Sequence, residues 1–218
     1  QAATTFQVFT GPSMLTLVHF GRRINQYPLD KPDVSMGFDN DLWRMLVLSL
    51  SNKGHGGGKR HPVVTGKFGL GFKSSYLVSG RPRILSGRLA FEVVGAMYPR
   101  RLIGEERSSI DECRAAHLGG NPQATILQLP LTDATDDEVL RTFRSLAHLI
   151  VVFARRIRCC IFNDGDIEVK WEPKVLPGVV GCYTGVLSRA TEAVGNEQPT
   201  RALLFESGHG AALFVIGP

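Results

Sequence analysis

Three glycines fall within six residues in the stretch Gly66-Lys67-Phe68-Gly69-Leu70-Gly71-Phe72-Lys73-Ser74. Backbone without a Cβ can approach a ligand closely and can take positive φ. The stretch follows a run of loop character, Ser51 to Thr65, and precedes a short apolar segment, Ser75-Tyr76-Leu77-Val78. If Phe72 opens a helix, its first N–H groups and the positive end of its dipole face back into the loop, where a phosphate is the natural partner. Lys67 and Lys73 would add charge. The plainer reading is a glycine-rich turn with two solvated lysines, because short glycine motifs recur by chance. No Gly-Lys-Ser/Thr ends the stretch as a Walker A loop requires, and Ser74 stands where a dinucleotide fingerprint needs glycine.

Other chemical groupings are weaker. His55-Gly56-Gly57-Gly58 matches the oxyanion loop of esterases on its surface, but no Gly-x-Ser-x-Gly elbow accompanies it. The cysteines, Cys113, Cys159, Cys160 and Cys182, form no Cys-x-x-Cys, and the histidines show no His-x-x-x-His spacing. Reduced, mostly buried thiols and a cytoplasmic setting are expected. The formal charge of +5 is spread over short clusters such as Arg22-Arg23, Lys59-Arg60 and Arg100-Arg101. A nucleic-acid surface would favour a denser run with interleaved aromatics, so a mildly basic soluble protein is the preferred reading. No apolar run is long enough to span a bilayer, and no membrane partner is expected. The chain starts at Gln1 and stops on a strand-like run, Leu213 to Ile216, which suggests a piece of a longer protein.

The elements that must hold these residues follow from periodicity. Thr5 to Phe9 and Met14 to Val18 read as a hairpin around Gly11-Pro12-Ser13, and His19-Phe20-Gly21-Arg22-Arg23-Ile24 leaves its second strand. Asp39-Asn40-Asp41 offers N-caps for a helix through Leu50. Strands are expected at Arg83 to Ser86 and Leu89 to Val94 around Gly87-Arg88, and at Ala124 to Leu129, with an irregular polar stretch from Tyr98 to Gly120 that holds one helical turn near Ile110 to Ala116. Thr135-Asp136-Asp137-Glu138 is a capping box for a helix whose core stripe is Val139, Phe143, Leu146 and Ile150. Ile157 to Phe162 and Ile167 to Trp171 form a hairpin around Asn163-Asp164-Gly165-Asp166. Further strands are expected at Val179 to Leu187, Ala202 to Glu206 and Ala211 to Ile216, with a polar loop from Ser188 to Thr200. The sum is α+β around a mostly antiparallel sheet, with a soft boundary near Trp171 to Pro177.

The order of these parts resembles the GHKL ATPases, the superfamily of gyrase B, heat-shock chaperones, histidine kinases and MutL. The likeness rests on Phe20-Gly21-Arg22-Arg23, the helix after it, Ser51-Asn52-Lys53 with its glycine-rich continuation, and Thr65 to Tyr76. It is nearest the heat-shock chaperone and sacsin-like branch, given the Gly-x-Phe-Gly-x-Gly-Phe-x-Ser form, Val78 to Gly87, and a strand ending in Leu-Pro-Leu at residue 131. The resemblance covers residues 1–172 and implies a Bergerat-type two-layer sandwich with helices on one face, lacking its N-terminal helix. Residues 173–218 would be a strand-rich extension.

By that resemblance the chain is the ATP-binding core of a nucleotide-driven switch in which lid closure leads to a conformational change or homodimerisation. Gly21, Arg23 and Ile24 would line the adenine pocket, and Ser51 to His61 would be the lid. Gly66, Phe68, Gly69, Leu70, Gly71 and Phe72 would hold the phosphates, with Lys53, Lys67 or Lys73 neutralising them. Thr125 matches a threonine that helps hold the adenine-binding carboxylate and a water. Two departures stand out. His19 occupies the place of the adenine-reading aspartate, and a neutral imidazole accepts one hydrogen bond but can also donate. The resemblance places the general-base glutamate and the asparagine that binds Mg2+ on a helix before the first hairpin, and the first glutamate here is Glu92, so ATP hydrolysis would need residues outside this chain. The alternative is an inactive GHKL-like scaffold for a client protein or nucleic acid; a histidine-kinase-like phosphotransferase is weaker, since no phosphoacceptor helix is visible.

Overall fold

The computed structural model describes residues 4–24, 41–46, 72–132, 136–154, 156–163, 166–191, 195–196 and 199–217. Within these the chain is α+β, with helices and a large mixed sheet. It divides into two units: residues 1–21 with 135–218, and residues 22–134.

The first unit begins with β1 (Thr5–Gly11) and β2 (Met14–His19), paired antiparallel from Phe6–His19 to Gly11–Met14. The turn works because Ser13 accepts a left-handed φ of 54°. Its helix, α3 (Asp136–Phe153), opens on acidic residues, which suit the positive end of the dipole. Thr135 of the expected capping box lies outside the described residues. The chain then forms β7 (Cys159–Phe162), β8 (Ile167–Val175), β9 (Cys182–Thr191), the short β10 (Gly195–Asn196), β11 (Thr200–Glu206) and β12 (Ala211–Gly217). The order in space is β12-β11-β9-β8-β7-β1-β2, with β10 on β9. The β1–β7 pairing is parallel and the others are antiparallel. Asn163 closes the end of β7 by accepting the Thr10 amide on its Oδ1 at 2.9 Å.

Helix α3 packs on β8, β7, β1 and β2. Its buried residues are Val139, Leu140, Ala147, Val151 and Val152. The expected stripe is therefore corrected at Leu146, which is 44% exposed although it lies within about 20° of the buried Val139 around the helix. Another correction lies in β9, which runs to Thr191 where a polar loop was expected; β8 spans Ile167–Val175.

The second unit contains α1 (Asp41–Leu46), a 3-10 helix (Lys73–Leu77), β3 (Arg83–Ser86), β4 (Leu89–Val94), β5 (Tyr98–Arg101), α2 (Gly104–Leu118) and β6 (Thr125–Pro130). Its strands lie in the order β6-β3-β4-β5, all antiparallel. The expectation of an irregular stretch from Tyr98 to Gly120 is wrong. That segment is an edge strand followed by a long helix, α2, in which Ile110 is the buried residue. The helix lacks an apolar stripe, so periodicity could not reveal it. It is held instead by Arg107–Asp111 and Arg114–Asp111 ion pairs, Glu105 and Glu106 in its first turn, and Gly119 at a left-handed φ of 56° past its end. The core of the unit is Ile84, Phe91 and Val93, against which Ile24, Leu42, Leu46, Phe72, Tyr76, Leu89 and Leu127 pack.

Candidate functional site

The glycines at 66, 69 and 71, with Lys53, Lys67, Phe68, Leu70 and the expected lid at 51–61, lie outside the described residues. The segment that follows them is defined. Phe72 precedes a single 3-10 turn, closed by Ser75 N–H donating to the Phe72 carbonyl at 3.1 Å, with the Ser75 hydroxyl doing the same at 2.7 Å. Phe72 and Tyr76 meet edge to face at 6.2 Å, and the Tyr76 hydroxyl donates to Val93 O at 3.0 Å. Lys73 donates to Leu46 O at 3.0 Å and also to Ala96 O. Its ammonium therefore ties the end of α1 to the β4–β5 turn, and burial lowers its pKa.

The segment after β2 is held from several directions. Within the first unit, the Gly21 amide donates to His19 Nδ1 at 3.1 Å. Burial lowers the His19 pKa from 6.5, so the imidazole is neutral near pH 7. With Nδ1 serving as acceptor, the proton of a neutral ring sits on Nε2. His19 then offers a donor where a carboxylate would offer only acceptors.

Within the second unit, Ile24 N–H donates to Ser86 Oγ at 2.9 Å, and Ser86 Oγ lies 2.7 Å from Thr125 Oγ1. Ser86 and Thr125 are register partners on β3 and β6, and both are buried. Each hydroxyl has one proton to give. One closes the Ser86–Thr125 pair, and the other remains for a third group. Arg22 forms a bidentate ion pair with Asp41, whose Oδ1 accepts Nη2 at 2.9 Å. Arg23 runs across Gly87: a Cβ there would lie 3.2 Å from Arg23 Cδ.

The structure thus joins Ile24 and Thr125, two of the residues singled out from sequence, and adds Ser86, which the sequence reading passed over. Its signal was available: a serine closing a strand, immediately before the Gly87 turn. Glu92, the first glutamate of the chain, is also fixed. Its side chain is 1% exposed and Arg100 Nη2 lies 2.5 Å from its Oε1, an arrangement suited to holding β5 on β4 and not to activating water. Among the described residues no cluster of three or more His, Cys, Asp or Glu could hold a metal, and no helix is long and apolar enough to cross a membrane. Cys113, Cys159, Cys160 and Cys182 form no disulfide; burial pushes Cys159 up to about 12 and Cys160 up to about 11.

No protein-family model matches the sequence, and no curated protein matches it at a significant level.

Proposed function

We propose that this chain is the nucleotide-binding core of a GHKL-type ATPase of the Bergerat fold, a switch driven by ATP. The observation that carries the reading is the hydrogen-bonded run Ile24 N–Ser86 Oγ–Thr125 Oγ1. It joins two positions that the resemblance assigns to the adenine side and that are far apart in sequence. The α+β architecture and the helical turn after Phe72 are consistent with it. Residues fit for the base are Ile24, which packs on the apolar cluster, and Thr125, whose hydroxyl pairs with Ser86. The glycine stretch would hold the phosphates. Mg2+, when bound with ATP, would neutralise phosphate charge; its protein ligand is expected outside this chain, as is the general base. Homodimerisation on ATP binding belongs to the same proposal.

Titration of the chain with ATP and Mg2+ by calorimetry, beside Gly69→Ala/Gly71→Ala, tests this. Binding that the double variant weakens tenfold or more, about 1.4 kcal/mol, supports it. Equal binding by both proteins, or no binding by either, overturns it.

A second reading is a scaffold that keeps the fold without reading adenine. It is favoured by His19, whose acceptor nitrogen is already taken by the Gly21 amide. Under it, His19→Asp would restore a preference for ATP over ITP, which presents a carbonyl where adenine has its amine.

A further inference from the structure

The resemblance assigns no site role to Ser86 or Gly87, yet three contacts converge around them. Ser86 is 1% exposed, and its one oxygen meets both the Ile24 amide at 2.9 Å and Thr125 Oγ1 at 2.7 Å. Gly87 has a left-handed φ of +60°, and a Cβ there would lie tightly against Arg23 Cδ (3.2 Å) and in ordinary contact with its Nε (3.7 Å). Arg22 is drawn the other way, to Asp41 at the start of α1. The backbone of residues 22–24 is therefore seated on the β3–β4 turn by one buried hydroxyl and by the absence of one Cβ.

We propose that Ser86 is a positioning residue for the base side of the ligand site: its hydroxyl fixes the path of Arg22–Ile24 and sets the direction of the Thr125 hydroxyl, while Gly87 leaves the space in which Arg23 lies. The proposal rests on the nucleotide reading, and it separates from that reading in what it demands. Ser86 touches the protein parts that meet the base: among the described residues its side-chain hydroxyl bonds to Ile24 and Thr125. Its loss should weaken a ligand that carries a base and spare one that carries only phosphates. A general loosening of the fold would weaken both alike.

The test measures ATP and tripolyphosphate affinity, each with Mg2+, for the 218-residue chain and for Ser86→Ala and Ser86→Thr, with amide hydrogen exchange at Ile24 as a readout independent of ligand. Removal of one buried hydrogen-bonding hydroxyl should weaken ATP about tenfold. Tripolyphosphate affinity should be unchanged, Ile24 exchange should quicken, and Ser86→Thr should restore both ATP affinity and protection. If the wild-type chain binds tripolyphosphate and ATP equally, the nucleotide reading fails and this proposal with it. If wild type prefers ATP but Ser86→Ala binds it as well, or loses both ligands in parallel, the nucleotide reading stands and the role of Ser86 is overturned.

Discussion

Gly185 of β9 permits a worked prediction. A Cβ placed on it would lie 2.6 Å from Trp171 Cη2, 2.9 Å from Trp171 Cζ2 and 2.7 Å from the Glu172 carbonyl oxygen. Carbon atoms attract at about 3.5–4.0 Å, so all three distances are deep in the repulsive range. Neither neighbour can yield cheaply. The Trp171 side chain is 1% exposed, and Glu172 sits on β8 in the ladder that pairs with β9. Overpacking a filled interior costs about 1–3 kcal/mol. Because one of the clashes is with backbone, Gly185→Ala should fall in the upper half, about 2–3 kcal/mol. For a chain of this size each kcal/mol moves the melting temperature by about 2–4 °C, so the drop should be about 4–12 °C. Thermal and urea unfolding can be followed by circular dichroism and by Trp171 emission in a Trp43→Phe background, since the chain has two tryptophans. Trp171→Phe removes the ring atoms that the new methyl would strike. The double variant should therefore recover part of the loss, a coupling of about 0.5–3 kcal/mol. An unchanged melting temperature for Gly185→Ala refutes the packing argument. An equal loss in both backgrounds moves the cause from the indole to the Glu172 carbonyl.

Three further outcomes are expected. Arg158 Nη1 reaches Val151 O at 3.2 Å, Ala154 O at 2.5 Å and Ile157 O at 2.8 Å, closing the negative end of α3. Arg158→Ala should cost about 1.5–3 kcal/mol, and Arg158→Lys should recover part of it, in urea unfolding. Cys159 and Cys160, held at about 12 and about 11 against an ordinary 9.0, should resist iodoacetamide at pH 8 until the chain unfolds, as mass spectrometry would record. Between pH 9 and these values the folded chain keeps protons the unfolded chain has lost, so stability should fall as pH rises through that window. His19 behaves in the opposite sense: burial lowers its pKa from 6.5, so the unfolded chain takes up the proton first and stability should decline as pH drops below 6.5. His19→Gln should flatten that slope, and nitrogen NMR of the wild type near pH 7 should find the proton on Nε2.

How much of this was legible in the sequence depended on which force formed each part. The β1–β2, β3–β4 and β7–β8 hairpins follow alternation and turn residues, and all three are present. Helix α2 was missed because charge pairs and a glycine stop, not an apolar stripe, hold it. The face of α3 was misassigned at Leu146, since spacing alone does not say which edge of an apolar arc meets the sheet. Thr125 was singled out through resemblance, but its partner Ser86 was not, because the bond between them depends on β3 and β6 being neighbours across about forty residues of chain. The parallel β1–β7 pairing was equally hidden, as no local signal announces a contact of such range.

That parallel pairing has a consequence for synthesis. Residues 22–134 form one unit from continuous chain, whereas the other unit must draw residues 1–21 together with 135–218. On the ribosome, β1 and β2 are made before β7, and the β1 edge that pairs with it stays uncovered until Cys159 to Phe162 arrive. The middle of the chain can complete itself during that interval. β1 is then enclosed only after residues 22–134 have been made, and a nascent chain stalled before residue 159 would present the β1 edge to any other extended segment nearby.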